Sequence, residues 1–436
     1  MKFTQALHSQ VNQIRSFSRA ARLYLIAIII DGISYCGWTL FFNFYILQRG
    51  FDKEFLGLAN AMPSIGILLL GIPMGRLSDR IGRRWAMIIG ATISICSMCL
   101  EVILRAPLLI LLAAFINGAA SSLYFLSQAP FMMKASDSHN RDLLFSLNFG
   151  LITLSGAVGS AFAGQLPNIF GRMLHTPDTS ALAYRAVLLT SLAVSFLLLV
   201  PLLIMKEPPT KTGALQTGPT RISLWRVVRQ PVTLKLALPN LLVGLGAAIL
   251  MPYVNVFFSE RFSVTNQVLG VLFGLSAMLT GIGAMIGPRL ARDLGGKIHA
   301  VTLTQASSLV FLLLMGFAPW SGLSAVAYLV RGMLMNMAMP LMDSFSMEQV
   351  DESQQGTVNS VRNLAWQFGW AVGPFLSGLV QVRYGFSPLF VATCILYGAS
   401  TWLTWIFFHK KEAGAPTCPI TGELLPTDPF ETMRGP

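Results

Sequence analysis

The chain has 436 residues, of which 54% are hydrophobic and 11% charged, with a formal net charge of +12. A soluble domain carries roughly a quarter charged residues, so this composition, with a mean hydropathy of +0.62, excludes a water-soluble globule. The basic excess is not a nucleic-acid footprint either. With both termini placed on the cytoplasmic side, about 22 of the 31 Lys and Arg fall on cytoplasmic segments and about 7 on outer ones, the positive-inside pattern of a multi-pass membrane protein.

Apolar blocks long enough to cross a bilayer as helices, roughly 18–20 residues each, recur from end to end. Residues 1–22 are basic and polar, without the apolar stretch of a cleavable signal. Spans are then expected near 22–48, 55–75, 85–104, 107–132, 143–170 and 184–205, and again near 233–258, 266–288, 299–318, 321–347, 357–382 and 387–408. Barrel strands would be about ten residues long and alternating, which these are not. The expected class is an all-α membrane protein of twelve transmembrane helices in two groups of six: residues 1–205 form the first half and 233–408 the second. Residues 206–232, with Pro208, Pro209, Gly213, Gly218 and Pro219, read as a cytoplasmic linker. The Pro-, Gly- and Thr-rich residues 409–436 read as a disordered cytoplasmic tail. The five cysteines form neither a disulfide framework nor a zinc site by spacing.

The halves match each other at a shift of 212–214 residues. Asn43 and Arg49 align with Asn255 and Arg261, and Gly57 with Gly270. GRLSDRIGRR at 75–84 aligns with PRLARDLGGK at 288–297, and SGAVGSAFAG at 155–164 with GWAVGPFLSG at 369–378. Ordered matches at one nearly constant offset indicate a duplicated six-helix unit, an architecture that places a binding site between the halves near the midplane.

The run Gly75, Leu77, Asp79, Arg80, Gly82, Arg83, Arg84 resembles the motif between helices two and three of the major facilitator superfamily, and the six-plus-six layout covers nearly the whole chain. Gly75 is expected to permit close helix contact and Gly82 a tight turn. The resemblance, closest to bacterial small-molecule and drug efflux members, implies that Asp79 bridges the halves at the cytoplasmic side beside the start of helix eleven. Arg362 stands there, so an Asp79–Arg362 contact is the preferred gate, with Glu348, Asp351 or Glu352 as alternative partners of Arg362. Two positions depart from the antiporter members: residues 113–118 lack an arginine, and helix five carries Gly159-Ser160 in place of Gly-Pro.

Charges inside spans cost roughly 2.5–3.5 kcal/mol on insertion scales and are functional candidates by default. Asp31 lies nine residues into the first span, about 13 Å deep at 1.5 Å per residue, and its repeat counterpart is Val243. It can carry a proton, pair with a cationic substrate, or be satisfied by a polar group of a neighbouring helix. Asp31, Tyr35, Trp38 and Phe42 share one helical face, as do Asn117, Ser121, Tyr124 and Gln128 in the fourth span. Both stripes are read as walls of a central cavity, with polar packing between helices as the alternative. In the tenth span, Arg331 can hold an anionic group, pair with Asp31, or bond backbone carbonyls. Met335 and Met339 belong to a methionine cluster beside it that suits a lipophilic substrate. Glu101 and Arg105, four apart, are expected to pair at the outer end of the third span.

These residues point to a secondary transporter in the cell (inner, cytoplasmic) membrane, working as a monomer with a small-molecule substrate, protons and the lipid bilayer as its partners. Its most concrete form is proton-coupled efflux of amphipathic compounds, with Asp31 as the protonatable group. Transport of an anionic metabolite or lipid-linked substrate, and a non-transporting sensor or scaffold on the same fold, are the alternatives. No enzyme activity, cofactor, metal or nucleic-acid partner is expected.

Overall fold

A computed structural model describes residues 17–137, 140–206 and 229–412. Twelve long helical segments account for nearly all of them: α1 Arg19–Gln48, α2 Lys53–Ile81, α3 Arg83–Ile103, α4 Pro107–Ala135, α5 Arg141–Met173, α6 Ala181–Ile204, α7 Pro231–Phe262, α8 Asn266–Asp293, α9 Lys297–Phe317, α10 Ser321–Glu348, α11 Glu352–Tyr384 and α12 Ser387–Glu412. Eleven are apolar enough to count as membrane spans by composition. The exception is α11, whose first turns carry Gln354, Gln355, Asn359, Arg362 and Asn363. It is nonetheless a continuous 33-residue helix packed in the bundle. Most of the expected linker, and the tail beyond Glu412, lie outside the described residues; α7 already begins at Pro231.

The duplication is visible in the helix starts. Asp52 caps α2 by accepting from the Phe55 amide at 2.7 Å, and its repeat counterpart Thr265 caps α8 through the Val268 amide. A side-chain oxygen at that position satisfies one of the amides a helix leaves unpaired. Three spans are interrupted where simple apolar blocks were expected: α5 breaks at Gly164–Gln165, α6 at Leu197–Leu198, and α7 passes through a 3₁₀ turn, Met251–Tyr253, around Pro252.

Two helix pairs make the most extensive contact between the halves, α2 with α11 and α5 with α8, and both depend on the repeated glycines. A Cβ on Gly57 would stand 2.6 Å from the Pro374 carbonyl, and one on Gly378 would stand 2.3 Å from the Lys53 carbonyl. Gly270 and Gly164, their repeat counterparts, meet each other with the same closeness. At this end a single apolar cluster runs through both halves, including Leu40, Phe41 and Leu56 with Tyr253, Phe257 and Leu269. Toward the end that carries residues 17 and 409 the core divides. One cluster there holds only first-half residues such as Tyr24, Phe131 and Leu202. The others hold only second-half residues such as Leu236, Ile298 and Leu341. The bundle is therefore sealed at one end and parted at the other, with a cleft between the halves. Large apolar side chains such as Leu108, Phe162, Met285 and Trp402 stand exposed on the outside, a surface that suits lipid and not water.

Candidate functional site

The seal at the closed end is polar as well as apolar. Asn43 donates to the Pro252 carbonyl and, at 3.1 Å, to Oδ1 of Asn255, its own repeat counterpart. Asn255 in turn donates to the Leu40 carbonyl at 2.7 Å. Lys53 of α2 pairs with Glu260 of α7 at 2.6 Å, and the Tyr184 hydroxyl of α6 bonds Asn266 of α8. The conserved register of the repeat extends to Arg49 and Arg261, which donate to the Leu104 and Ala318 carbonyls that end α3 and α9.

The first-half candidates stand on α1 and α4. Asp31 is half-buried, and the Tyr124 hydroxyl lies beside its carboxyl and beside the Gln128 amide. Neither the Tyr124 hydroxyl nor Gln128 Nε2 completes a hydrogen bond, although both atoms are buried. Asp31, Tyr124 and Gln128 thus form a cluster with unused hydrogen-bonding capacity deep in the bundle. Tyr35, one turn along from Asp31, is 54% exposed. Trp38 continues that face by stacking on Phe42 with ring centroids 4.4 Å apart.

Asn117 departs from the expected stripe. It accepts from Ser94 Oγ at 2.6 Å and donates to Glu101 at 3.4 Å, so it is engaged between α3 and α4. Glu101 itself is 1% exposed. The expected Glu101–Arg105 pair is corrected accordingly: α3 ends at Ile103, so Arg105 leaves the helical register and is exposed, while Glu101 turns inward.

In the second half, Arg331 is 4% exposed and points neither to Asp31 nor to a backbone carbonyl. Its two terminal nitrogens donate to the Tyr397 hydroxyl at 2.8 Å and to Met251 Sδ at 2.9 Å, and its Nε is buried without a partner. Met335 is buried with its sulfur accepting from Ser308, whereas Met339 is 45% exposed. Tyr397 and Met251 had no signal in the sequence, since each is a single residue in an apolar span.

The motif at 75–84 is mostly helix and not loop. Gly75, Asp79 and Arg80 belong to the last turns of α2, Arg83 and Arg84 to the first of α3, and only Gly82 lies between, at φ +88°. That φ is in the region that glycine alone adopts without strain. Gly75 makes no close helix contact: a Cβ there would meet only Leu126, at 3.9 Å. Arg83 pairs with Asp79 and donates to Ser78, and Arg84 donates to the Leu202 and Leu203 carbonyls at the end of α6. The Asp79–Arg362 contact is not formed in this conformation. Arg362 is 5% exposed and pairs with Asp343 of its own half at 2.8 Å. Glu348, an alternative partner, is taken by Lys297.

A sequence profile for the Major Facilitator Superfamily matches residues 25–374 and, in a second placement, 236–431. The human chromaffin granule amine transporter is 24% identical over 347 residues, covering 78% of this chain but 63% of that protein. The chain therefore spans somewhat less than two thirds of that relative. The multidrug resistance protein MdtG of Yersinia enterocolitica is 26% identical over 181 residues, 40% of this chain and 42% of that one. Among solved structures, the nucleoside transporter NupG superposes with a TM-score of 0.70 at 15% identity, over 91% of this chain and 100% of that chain. A bacterial homolog of the lysosomal transporter Spinster, in an inward-facing and unoccupied conformation, superposes with a TM-score of 0.69 at 14% identity, over 90% and 95% of the two chains.

Proposed function

This chain belongs to the Major Facilitator Superfamily, and we propose that it exports small amphipathic compounds across the cell membrane in exchange for protons, by alternating access. The observation that carries this reading is Asp31. It is a carboxylic acid about 13 Å deep in an apolar span at 1.5 Å per residue. The second-half repeat has no acid there, and the side chain stands beside a buried hydroxyl and amide with unfilled bonding capacity. Such a group can take up and release a proton as its access to water changes. The positive-inside rule puts both termini in the cytoplasm, so the cleft opens inward in this conformation. The divided core at that end and the sealed core at the other support the same assignment. Tyr35 and Trp38 supply aromatic surface, and Met339 an adaptable apolar one, for varied cargo. The names of the drug-resistance and amine-transport relatives agree with a small amphipathic substrate. Catalysis has no part in this reading.

The reading is tested in proteoliposomes loaded with a pH-sensitive dye, with tetraphenylphosphonium, 1-naphthalenemethanol and 1-naphthoate offered in turn. Wild type should show compound-dependent proton movement, and folded Asp31→Asn should lose it by tenfold or more. Proton movement that survives Asp31→Asn unchanged would remove Asp31 from the mechanism.

A further inference from the structure

A cavity of about 300 Å³ lies between α7, α9, α10, α11 and α12, lined by second-half residues and not by the Asp31 cluster of the first half. We propose that this cavity is a pre-formed subsite for the anionic head group of an amphipathic molecule, with Arg331 as its anchor. The proposal rests on the reading of the chain as a transporter of amphipathic compounds and names the charge of the cargo.

Charge is the first argument. Two guanidiniums, Arg331 and Arg362, line the cavity against one carboxylate, Asp343. Asp343 is already paired with Arg362, which leaves one positive charge uncompensated. Arg331 is that charge. It is 96% buried, given its 4% exposure, and its bonds go to a phenol and a thioether, both neutral. The Tyr397 ring also lies under the guanidinium, 5.4 Å from ring centroid to Cζ. Neutral partners of this kind orient a guanidinium without neutralising it. A buried cation normally has a counter-ion, and the fork of Arg331 retains an unpartnered Nε for an oxyanion to use. The buried indole nitrogen of Trp370, another lining residue, is likewise without a partner. Two unpartnered donors and an unmatched positive charge on residues around one space call for an acceptor that bears negative charge.

Shape is the second. Along α10 the lining runs from Arg331 to Asp343, which is roughly 18 Å at 1.5 Å per residue. Arg331 sits at the deep end. Met339 and the Asp343 side chain, 45% and 66% exposed, stand at the mouth. Between them the walls are mainly apolar, with Met335, Trp366 and Val243 beside Asn240 and Asn336 among the lining residues. A ligand would therefore enter head first, its carboxylate or phosphate reaching Arg331 and its apolar body lying against methionine and tryptophan. The volume is at the lower end of the range for small-molecule pockets, about 300–1,000 Å³, which favours a compact aromatic or short-chain body.

The test is equilibrium binding by calorimetry on the full chain in detergent micelles, which requires neither a gradient nor movement of the halves. A failed transport assay therefore leaves it intact, and a failed binding assay leaves proton coupling intact. The probes share one body: 1-naphthoate, 1-naphthalenemethanol and 1-naphthylmethylamine. Naphthoate should bind at least tenfold more tightly than the alcohol or the amine. Arg331→Gln should remove that preference, and Met339→Trp at the mouth should weaken naphthoate whether or not the arginine variant folds. Equal affinity for the three probes, or naphthoate affinity unchanged in folded Arg331→Gln, would overturn the proposal. Repeating the titration in nanodiscs separates the two sources of such a head group. Displacement of naphthoate by phosphatidic acid but not by phosphatidylcholine identifies a lipid as the occupant. Retention of naphthoate in both identifies a free amphipathic anion.

Discussion

Asn43 and Asn255 are equivalent positions in the two repeats, and in the structure they bond to each other where the halves meet. Asn43 also donates to the Pro252 carbonyl and accepts from Asn60, so three polar groups depend on one side chain. Both asparagines are buried, at 4% and 1% exposure. Removing one partner from a buried network leaves the others desolvated and unpaired, at about 1–3 kcal/mol. Asn43→Ala should therefore lower the apparent thermal stability measurably. The Asn43→Ala/Asn255→Ala double variant should cost clearly less than the sum of the two singles, since contacting residues are not additive. A double-mutant cycle that closes additively would show that the pair does not hold the seal. Asn43 and Asn255 were legible in the sequence as aligned residues, but their contact was not, because alignment fixes equivalence and not proximity. Glu101 illustrates the opposite error. Its spacing from Arg105 fits an ion pair only if the helix continues, and it stops at Ile103.

At the scale of elements, hydropathy located every long helix, with ends within about six residues, since a bilayer demands apolar length and little else of a span. It fell shortest where polar residues continue a helix, at the ends of α2 and α8 and the start of α11, and it gave no sign of the Gly164–Gln165 break or the Pro252 turn. It also could not say which glycines matter. Gly118 of α4 lies against α2 so closely that a Cβ would stand 1.9 Å from the Pro63 carbonyl, with two further backbone atoms within 2.5 Å. Gly75, which the motif made the stronger candidate, has only the Leu126 methyl group at 3.9 Å. The two substitutions should separate. Gly118→Ala forces backbone apart and should destabilise by about 1–3 kcal/mol, the usual cost of overpacking. Gly75→Ala should be neutral or slightly stabilising, by up to about 1 kcal/mol, because alanine is the better helix former. Thermal unfolding of the two purified variants decides it, and equal losses would mean that the α2–α4 contact is looser than described.

For the whole molecule, the proposed gate at the parted end is a question of which carboxylate holds Arg362. In the present conformation Asp343 does, within the second half, while Asp79 is held by Arg83 within the first. Each side of the proposed gate is thus satisfied locally, which is what a parted cleft requires. Closure would bring the ends of α2 and α11 together and offer Arg362 a second carboxylate. The equilibrium between the two states then depends on the difference between the two pairings, and a perturbation acts only through that difference. Asp343→Asn weakens one side alone. Arg362 is 5% exposed, so losing its ionic partner is costly, and contact with Asp79 becomes the better arrangement. The closed population should rise by tenfold or more, equivalent to about 1.4 kcal/mol. Spin labels at Asp142 of α5 and Arg289 of α8, introduced after replacement of the native cysteines, would report a shorter inter-half distance. Adding Asp79→Asn to Asp343→Asn should restore the longer one. A distance distribution that ignores both substitutions would exclude Arg362 from the gate and leave the glycine contacts and the asparagine seal as the determinants of which end is closed.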